Sequence, residues 1–194
     1  MKSVRRARSH IRSHSRLTRT GSRLRTAVLG GLLALALLPA ARAQAQDATT
    51  VILVRHAEKI DDSRDPALSA EGEARAALLA TMLADAGIDH IVSTDYLRTR
   101  HTVLPLAQSL GLEVGSYDPR DLQATAAQLR EWGGTILVSG HSNTTPGLVE
   151  ALGGDSRGPI DDAEYDRLYV VNLAPDGTVT TTLIRYGELF MNER

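Results

Sequence analysis

The sequence contains no cysteine, and this absence removes several kinds of chemistry at once. Without thiols the chain forms no disulfide bond, even in an oxidising compartment where such bonds persist. It also offers no cysteine nucleophile and no thiolate ligand for zinc. Any nucleophile or ligand-binding group must therefore come from other side chains.

Acidic side chains are missing from residues 1–43, which contain ten of the 22 lysines and arginines. An uninterrupted small and apolar run covers residues 27–38, and Ala-x-Ala patterns end at Ala43 and Ala45. A basic start, a short apolar core and a small-residue exit are typical of a secretory signal peptide. Because a membrane-spanning helix needs roughly 20 apolar residues, we expect cleavage rather than permanent anchoring. We predict a signal peptide over residues 1–43, alternatively ending at Ala45, and export to the periplasm or the medium.

The remaining chain is strongly acidic. With residues 1–43 removed, 12 basic side chains stand against 23 acidic ones, a net charge of −11. This balance argues against a nucleic-acid partner, because phosphate backbones are bound by clustered cations. It also argues against docking on an anionic bilayer, so we expect no stable membrane insertion after signal removal. About 150 residues can bury one full core, and we predict a single domain over residues 47–194.

Short apolar runs alternate with helical patterns along this domain. The run at residues 51–54 is continuously apolar, which is typical of a strand covered on both faces. Ser69 and Asp121 are candidate helix N-caps, and glycines at 87, 111 and 133 follow the predicted helices. We predict an α/β fold, a three-layer αβα sandwich with a mainly parallel sheet and an antiparallel edge hairpin. The predicted strands cover residues 51–54, 88–93, 113–117, 135–139, 168–173 and 179–186, and the predicted helices cover 74–86, 96–110, 121–132 and 143–152.

Cationic and imidazole side chains follow three of these predicted strands. Arg55 and His56 come directly after residues 51–54, Arg98 follows residues 91–93, and His141 follows residues 136–140. In open α/β sheets, ligands bind in the crevice outside the carboxyl ends of the strands. An arginine binds phosphate through a bidentate fork, and a neutral imidazole can attack phosphorus. The placement predicts a phosphate site at this edge of the sheet.

Four sequence blocks resemble the histidine phosphatase superfamily, which has the phosphoglycerate-mutase-like fold. Together the blocks lie between about residues 50 and 150, and their order and placement make the combination specific although each is weak alone. The blocks are Leu53-Val54-Arg55-His56-Ala57-Glu58, Leu68-Ser69-Ala70-Glu71-Gly72, the Ser93 to Thr102 segment with the pattern Ser-x-x-x-x-Arg-x-x-x-Thr, and Leu137-Val138-Ser139-Gly140-His141-Ser142.

The resemblance implies a phosphatase that acts on small phosphate monoesters or phosphoramidates. His56 would be the nucleophile and would form a phosphohistidine, which water then hydrolyses. Arg55, Arg98 and His141 would bind the equatorial oxygens, where the charge of the transition state is spread. The resemblance implies no metal and no cofactor, because the cationic side chains would supply the stabilisation usually assigned to magnesium.

A general acid must protonate the leaving alcohol, and here the chain departs from the family pattern. Many members place a glutamate one strand and loop after the second arginine block, whereas this chain has Asp118 and Asp121 there. Asp118 is the favoured candidate because it follows the predicted strand directly. Asp121 also fits a helix cap, and Glu58 is a third candidate because it is close to His56.

Three other interpretations stay open. The first is a non-catalytic phosphate- or phosphosugar-binding protein on the same fold. The second is a phosphoglycerate-mutase-type phosphotransferase, although few residues between Arg98 and His141 remain to form a lid over a second ligand. The third is a metal-dependent hydrolase that uses His56, Glu58, His101 and His141, although these residues lack the helical His-Glu-x-x-His spacing.

Overall fold

The structure is a computed structural model that describes residues 48–191. The predicted signal peptide lies outside the described residues. Among the helices that the structure describes, none has the length and apolar character needed to span a membrane. Six strands are formed: β1 (Thr49–Arg55), β2 (His90–Ser93), β3 (Val114–Ser116), β4 (Thr135–Gly140), β5 (Arg167–Leu173) and β6 (Val179–Arg185). Four helices are formed: α1 (Ala70–Leu83), α2 (Leu97–Leu110), α3 (Leu122–Trp132) and α4 (Thr144–Ala151).

The six strands form one sheet in the order β3-β2-β4-β1-β5-β6. The first four strands in this order are parallel, while β5 runs antiparallel to β1 and pairs with β6 as an edge hairpin. The central strands β1 and β4 carry continuous apolar runs because both of their faces are covered. The predicted α/β sandwich with a mainly parallel sheet and an antiparallel edge hairpin is confirmed.

Alternate residues of β1 point into two separate cores, one on each face of the sheet. Val51 and Leu53 pack with the residues of α3 and α4, whereas Ile52 and Val54 pack with those of α1 and α2. This alternation follows from the period of two along a strand. The sheet is therefore the middle of three layers, and the carboxyl ends of its parallel strands open between the two helix layers.

Local capping residues set the helix boundaries. The Ser69 side chain accepts from the backbone N–H of Gly72, and the Asp121 side chain accepts from that of Ala124. Gly111 ends α2 in the left-handed region at φ 67°, which glycine adopts without steric cost. The predicted N-caps and strand cores are confirmed, while β2 and β3 are shorter than predicted. β3 is the edge strand and pairs only with β2 among the described strands, so its ends lack a second neighbour.

Candidate active site

The parallel register brings the ends of β1, β4 and β2 side by side. Arg55 pairs with Gly140, and the backbone N–H of His56 donates to the Gly140 carbonyl at 2.8 Å. On the other side of β4, Ser139 pairs with Ser93 at the end of β2. The residues that follow these pairs are therefore neighbours although they are distant in sequence. As a result, the imidazole rings of His56 and His141 lie 5.5 Å apart between centroids.

His56 is buried and has one defined tautomer. Its Nδ1 lies 2.8 Å from the carbonyl oxygen of Ala57, and a carbonyl only accepts hydrogen bonds. Nδ1 therefore carries the proton, and Nε2 keeps its lone pair. Burial, together with the positive charge of Arg55, lowers the pKa of His56 to about 3. The ring is consequently neutral near neutral pH, which is the form that attacks an electrophile.

His141 is oriented by a chain of hydroxyl groups. Its Nε2 lies 2.9 Å from Thr94 Oγ1, and Thr94 Oγ1 lies 2.9 Å from Thr99 Oγ1. Arg98 Nη2 lies 3.4 Å from Nδ1, and a guanidinium only donates, so Nε2 carries the proton and donates to Thr94. Burial, followed by the charge of Arg98, lowers the pKa of His141 to about 4. The site therefore holds two neutral imidazoles.

Arg55 is buried with one edge of its guanidinium fixed. Its Nη1 donates to the carbonyls of Asp161 at 2.7 Å and Glu164 at 2.9 Å, and its guanidinium carbon lies 4.2 Å from the centre of the Tyr165 ring. The Nε atom is buried and has no hydrogen-bond partner among the described residues. A buried donor of this kind is costly unless a ligand or water satisfies it. The edge of Arg55 that carries Nε is thus suited to bind an anion.

Arg98 is held from the loop that joins β1 to α1. Its Nη1 donates to the Arg64 carbonyl at 3.4 Å and lies 3.9 Å from the Asp65 carboxylate. Its guanidinium also lies 4.6 Å from the centre of the Tyr96 ring. These contacts leave the Arg98 side chain only 15% exposed, and it remains directed toward His141.

Thr102 ties α2 to the segment that carries His56. Its hydroxyl accepts from the backbone N–H of Ala57 at 2.9 Å and donates to the Arg98 carbonyl at 2.7 Å. Both bonds are made by one buried side chain, so the helix bearing Arg98 and the loop bearing His56 share a fixed point. The four-residue spacing from Arg98 to Thr102 is what permits this arrangement, because these positions adjoin on a helix.

The three carboxylates considered as general acids all accept hydrogen bonds from groups other than the four converging side chains. Asp118 is exposed and receives hydrogen bonds from the side chain and backbone of Arg120, which lower its pKa to about 2. Asp121 caps α3. Glu58 accepts bonds of 2.7 to 3.0 Å from the buried guanidinium of Arg75. The geometry thus brings together Arg55, His56, Arg98 and His141, while the Asp118 carboxylate is paired with Arg120.

A cavity of about 480 Å³ opens over the four converging side chains. Its lining includes the cations Arg55, Lys59, Arg98 and Arg120, and no carboxylate among the residues that the structure describes. A larger cavity of about 780 Å³ shares Arg55 and Lys59 and also contains Glu58. The smaller cavity is the candidate active site because both histidines line it. Its size suits a small organic molecule.

The structure does not assemble the histidine and carboxylate residues of the metal hydrolase interpretation. Within residues 48–191, no group of three or more His, Cys, Asp or Glu side chains is placed to hold a metal ion. Sequence reasoning also missed two residues that contact the site, Thr94 and Tyr165. The hydroxyl of Thr94, directly after β2, was a signal that could have been used, whereas Tyr165 follows no strand or motif.

Parts of this chain are similar in sequence to known proteins. The family model described as "Histidine phosphatase superfamily (branch 1)" matches residues 51–120. A protein of Shigella dysenteriae serotype 1, named probable phosphoglycerate mutase GpmB, is 41% identical over 71 residues. The match covers 33% of this chain and 33% of that protein, so the chain spans about a third of the length of the curated relatives it matches.

Solved structures share the fold at low sequence identity. The protein histidine phosphatase SixA, solved with tungstate, has a TM-score of 0.58 and 20% identity, and the match covers 70% of this chain and 96% of that one. A mycobacterial glucosyl-3-phosphoglycerate phosphatase has a TM-score of 0.52 and 16% identity, over 72% of this chain and 98% of that one. At these identities the likeness establishes the fold.

Proposed function

We propose that this chain, which matches the histidine phosphatase superfamily model over residues 51–120, is a phosphatase that hydrolyses phosphate monoesters or phosphoramidates through a phosphohistidine on His56. The observation that carries this proposal is the tautomer of His56. Its Nδ1 proton is committed to the Ala57 carbonyl, so the lone pair of Nε2 is available to attack phosphorus. Burial and the adjacent cations keep the ring neutral, which preserves that lone pair.

The surrounding cations are suited to stabilise a transferring phosphoryl group. Arg55 presents a buried Nε that has no partner among the described residues, and Arg98 lies against His141 at the same cavity. Charge on the equatorial oxygens would be met by fixed donors that need no rearrangement. A bound dianion would also favour the protonated form of His141, which then donates through Nδ1. These side chains would supply the stabilisation without a metal.

The leaving group must be protonated or must be stable as an anion, and this requirement determines which substrates we expect the enzyme to prefer. No carboxylate lines the candidate site among the described residues, and Asp118 is held ionised by Arg120. An ionised carboxylate cannot donate a proton to a leaving alkoxide. We therefore propose that the enzyme favours substrates with good leaving groups, such as aryl phosphates or phosphoramidates. The sequence predicts Asp118 as the general acid. Its hydrogen bonds to Arg120 do not support that role.

The test compares wild type with His56→Asn on para-nitrophenyl phosphate after dialysis against EDTA. Wild type should release phosphate and form an acid-labile phosphoryl adduct, while His56→Asn should lose at least about 10³-fold in kcat and form no adduct. His90→Asn is the control, because His90 is an exposed histidine that stacks on Trp132 at the opposite end of β2. Full activity should survive the chelator.

Three other results would contradict the proposal. Equal background rates for wild type and His56→Asn, with phosphate still bound, would identify a binding protein. Transfer of the phosphoryl group to an added sugar acid in preference to water would identify a mutase. Activity lost on dialysis and restored by a divalent metal would identify metal-dependent hydrolysis.

A further inference from the structure

The candidate site contains more positive charge than one phosphoryl group needs. Arg55, Arg98 and the two histidines converge at its inner end, and Lys59 and Arg120 line it as well. No carboxylate is present among its described lining residues, although acidic side chains outnumber basic ones by 23 to 12 over residues 44–194. Local concentration of one charge sign in an otherwise acidic chain focuses the electrostatic field on a ligand of opposite sign. The two additional cations therefore require an explanation.

Lys59 and Arg120 are each held by a carboxylate outside the cavity lining. Arg120 donates from Nε and Nη2 to Asp118 at 2.9 Å, and Lys59 pairs with Asp62. The Arg120 side chain is 88% exposed and that of Asp62 is 95% exposed. Exposed ion pairs contribute little to stability, so both cations can change partners at small cost. An anion bound in the cavity would compete with these carboxylates and would pair with Lys59 and Arg120.

We propose that Arg120 and Lys59 form a second anion subsite, which selects substrates whose leaving group carries its own negative charge. Arg120 exchanges the Asp118 carboxylate for the carboxylate or phosphate of the leaving group. Asp118 is then a competitor for Arg120 and not the proton donor. This inference rests on the proposed phosphatase function, and it adds the substrate class to it.

The experiment uses two esters of matched size on the full chain, 4-carboxyphenyl phosphate and the uncharged 4-(methoxycarbonyl)phenyl phosphate. The measured quantity is the ratio of kcat/KM for the charged ester to that for the uncharged ester. Differences in leaving-group reactivity cancel when this ratio is compared between variants. Arg120→Gln and Lys59→Gln should each lower the ratio by roughly three- to fivefold, and the double variant should lower it further.

Two further variants sharpen the result. Asp118→Asn removes the competing carboxylate and should raise the ratio, whereas loss of a general acid would lower kcat for both esters. Arg157→Gln is the matched control, because Arg157 lies outside the cavity lining and is also paired with the aspartate two residues before it. Its backbone N–H donates to Asp155 at 2.9 Å, and its Nη1 lies 3.2 Å from the same carboxylate. Its ratio should equal that of wild type.

The outcomes separate the two proposals. His56-dependent hydrolysis of both esters with an unchanged ratio in Arg120→Gln and Lys59→Gln would overturn the subsite and leave the phosphatase function standing. If neither ester is hydrolysed, the proposed phosphatase function is wrong. The preference for the charged ester is then measured as the ratio of the dissociation constants of the two esters. An unchanged ratio in that measurement would overturn the subsite as well.

Discussion

A buried histidine, His56, and a half-buried histidine, His141, give the site its response to pH, and both lie beside guanidinium groups. Burial lowers the pKa of His56 to about 3 and that of His141 to about 4. Both rings are therefore neutral in the folded protein at pH values where an exposed histidine would be half protonated. The two neutral rings thus add no positive charge beside Arg55 and Arg98. A bound phosphate dianion would reverse this preference at His141, because it would stabilise the cationic ring.

This arrangement predicts that stability falls as the pH falls from 6.5 to 5.0. The unfolded chain binds protons on both histidines in this range and the folded chain does not, so protonation favours unfolding. Each of the two histidines should cost about 1 to 2 kcal/mol over this interval, and neither contributes above pH 7. Urea unfolding at several pH values measures the slope.

The variants His56→Asn and His141→Asn test the origin of the slope. Each substitution removes one titrating group, so the dependence of the free energy of unfolding on pH should become shallower in each, and more so in the double variant. A double variant with the wild-type slope would show that other groups cause the acid sensitivity.

At the scale of elements, the N-terminus of α1 is packed on the backbone of the segment after His56. Ser69 N–H donates to the Glu58 carbonyl at 2.9 Å, and a Cβ on Gly72 would lie 2.2 Å from that same carbonyl oxygen. Glycine at position 72 is thus required by the close approach of two backbones. This is the physical reason for the Leu-Ser-x-x-Gly block that opens the helix.

Gly72→Ala should therefore destabilise the protein, although alanine normally stabilises a helix relative to glycine. We expect a loss of about 1 to 3 kcal/mol from overpacking, together with a lower kcat, because the displaced carbonyl belongs to the loop carrying His56. Gly147→Ala in α4 is the control, since its Cβ would meet only the flexible end of Leu122 at 2.9 Å. Equal effects of the two substitutions on stability and kcat would contradict this account.

The elements that sequence reasoning predicted well are those fixed by local chemistry. The side chains of Ser69 and Asp121 accept hydrogen bonds from backbone N–H groups, as N-cap residues do. The apolar run of β1 is typical of a strand that is buried on both faces. The limits of β2 and β3 were predicted less well, because they depend on which strand lies beside them and not on their own residues. β3 pairs with β2 over three residues only.

At the scale of the whole molecule, the site unites segments that are distant in sequence. The positions of Arg55, His56, Arg98 and His141 were predictable because the ends of parallel strands meet at one edge. The stacking of Tyr165 on Arg55 and the pairing of Glu58 with Arg75 were not, since they depend on long-range packing without a local signature. That pairing also removes Glu58 from the candidate acids. Sequence therefore locates the inner end of the site better than its surroundings.

Residues 1–43 contain ten basic side chains and no acidic one, whereas the remaining chain is strongly acidic. We propose that they direct export and are then removed, which leaves an acidic periplasmic or secreted protein. Expression in a bacterium with a periplasm should yield an exported species whose mass corresponds to cleavage after Ala43 or Ala45. Leu35→Arg interrupts the apolar run and should leave the full-length chain in the cytoplasm.

The retained Leu35→Arg protein should still be folded and active, because a chain without cysteine does not need an oxidising compartment for disulfides. Activity of the retained protein on para-nitrophenyl phosphate therefore separates a defect in export from a defect in folding. Full-length wild-type chain found in the membrane fraction would instead identify the run as an anchor. In that case the acidic domain would be tethered by its basic N-terminal segment rather than released.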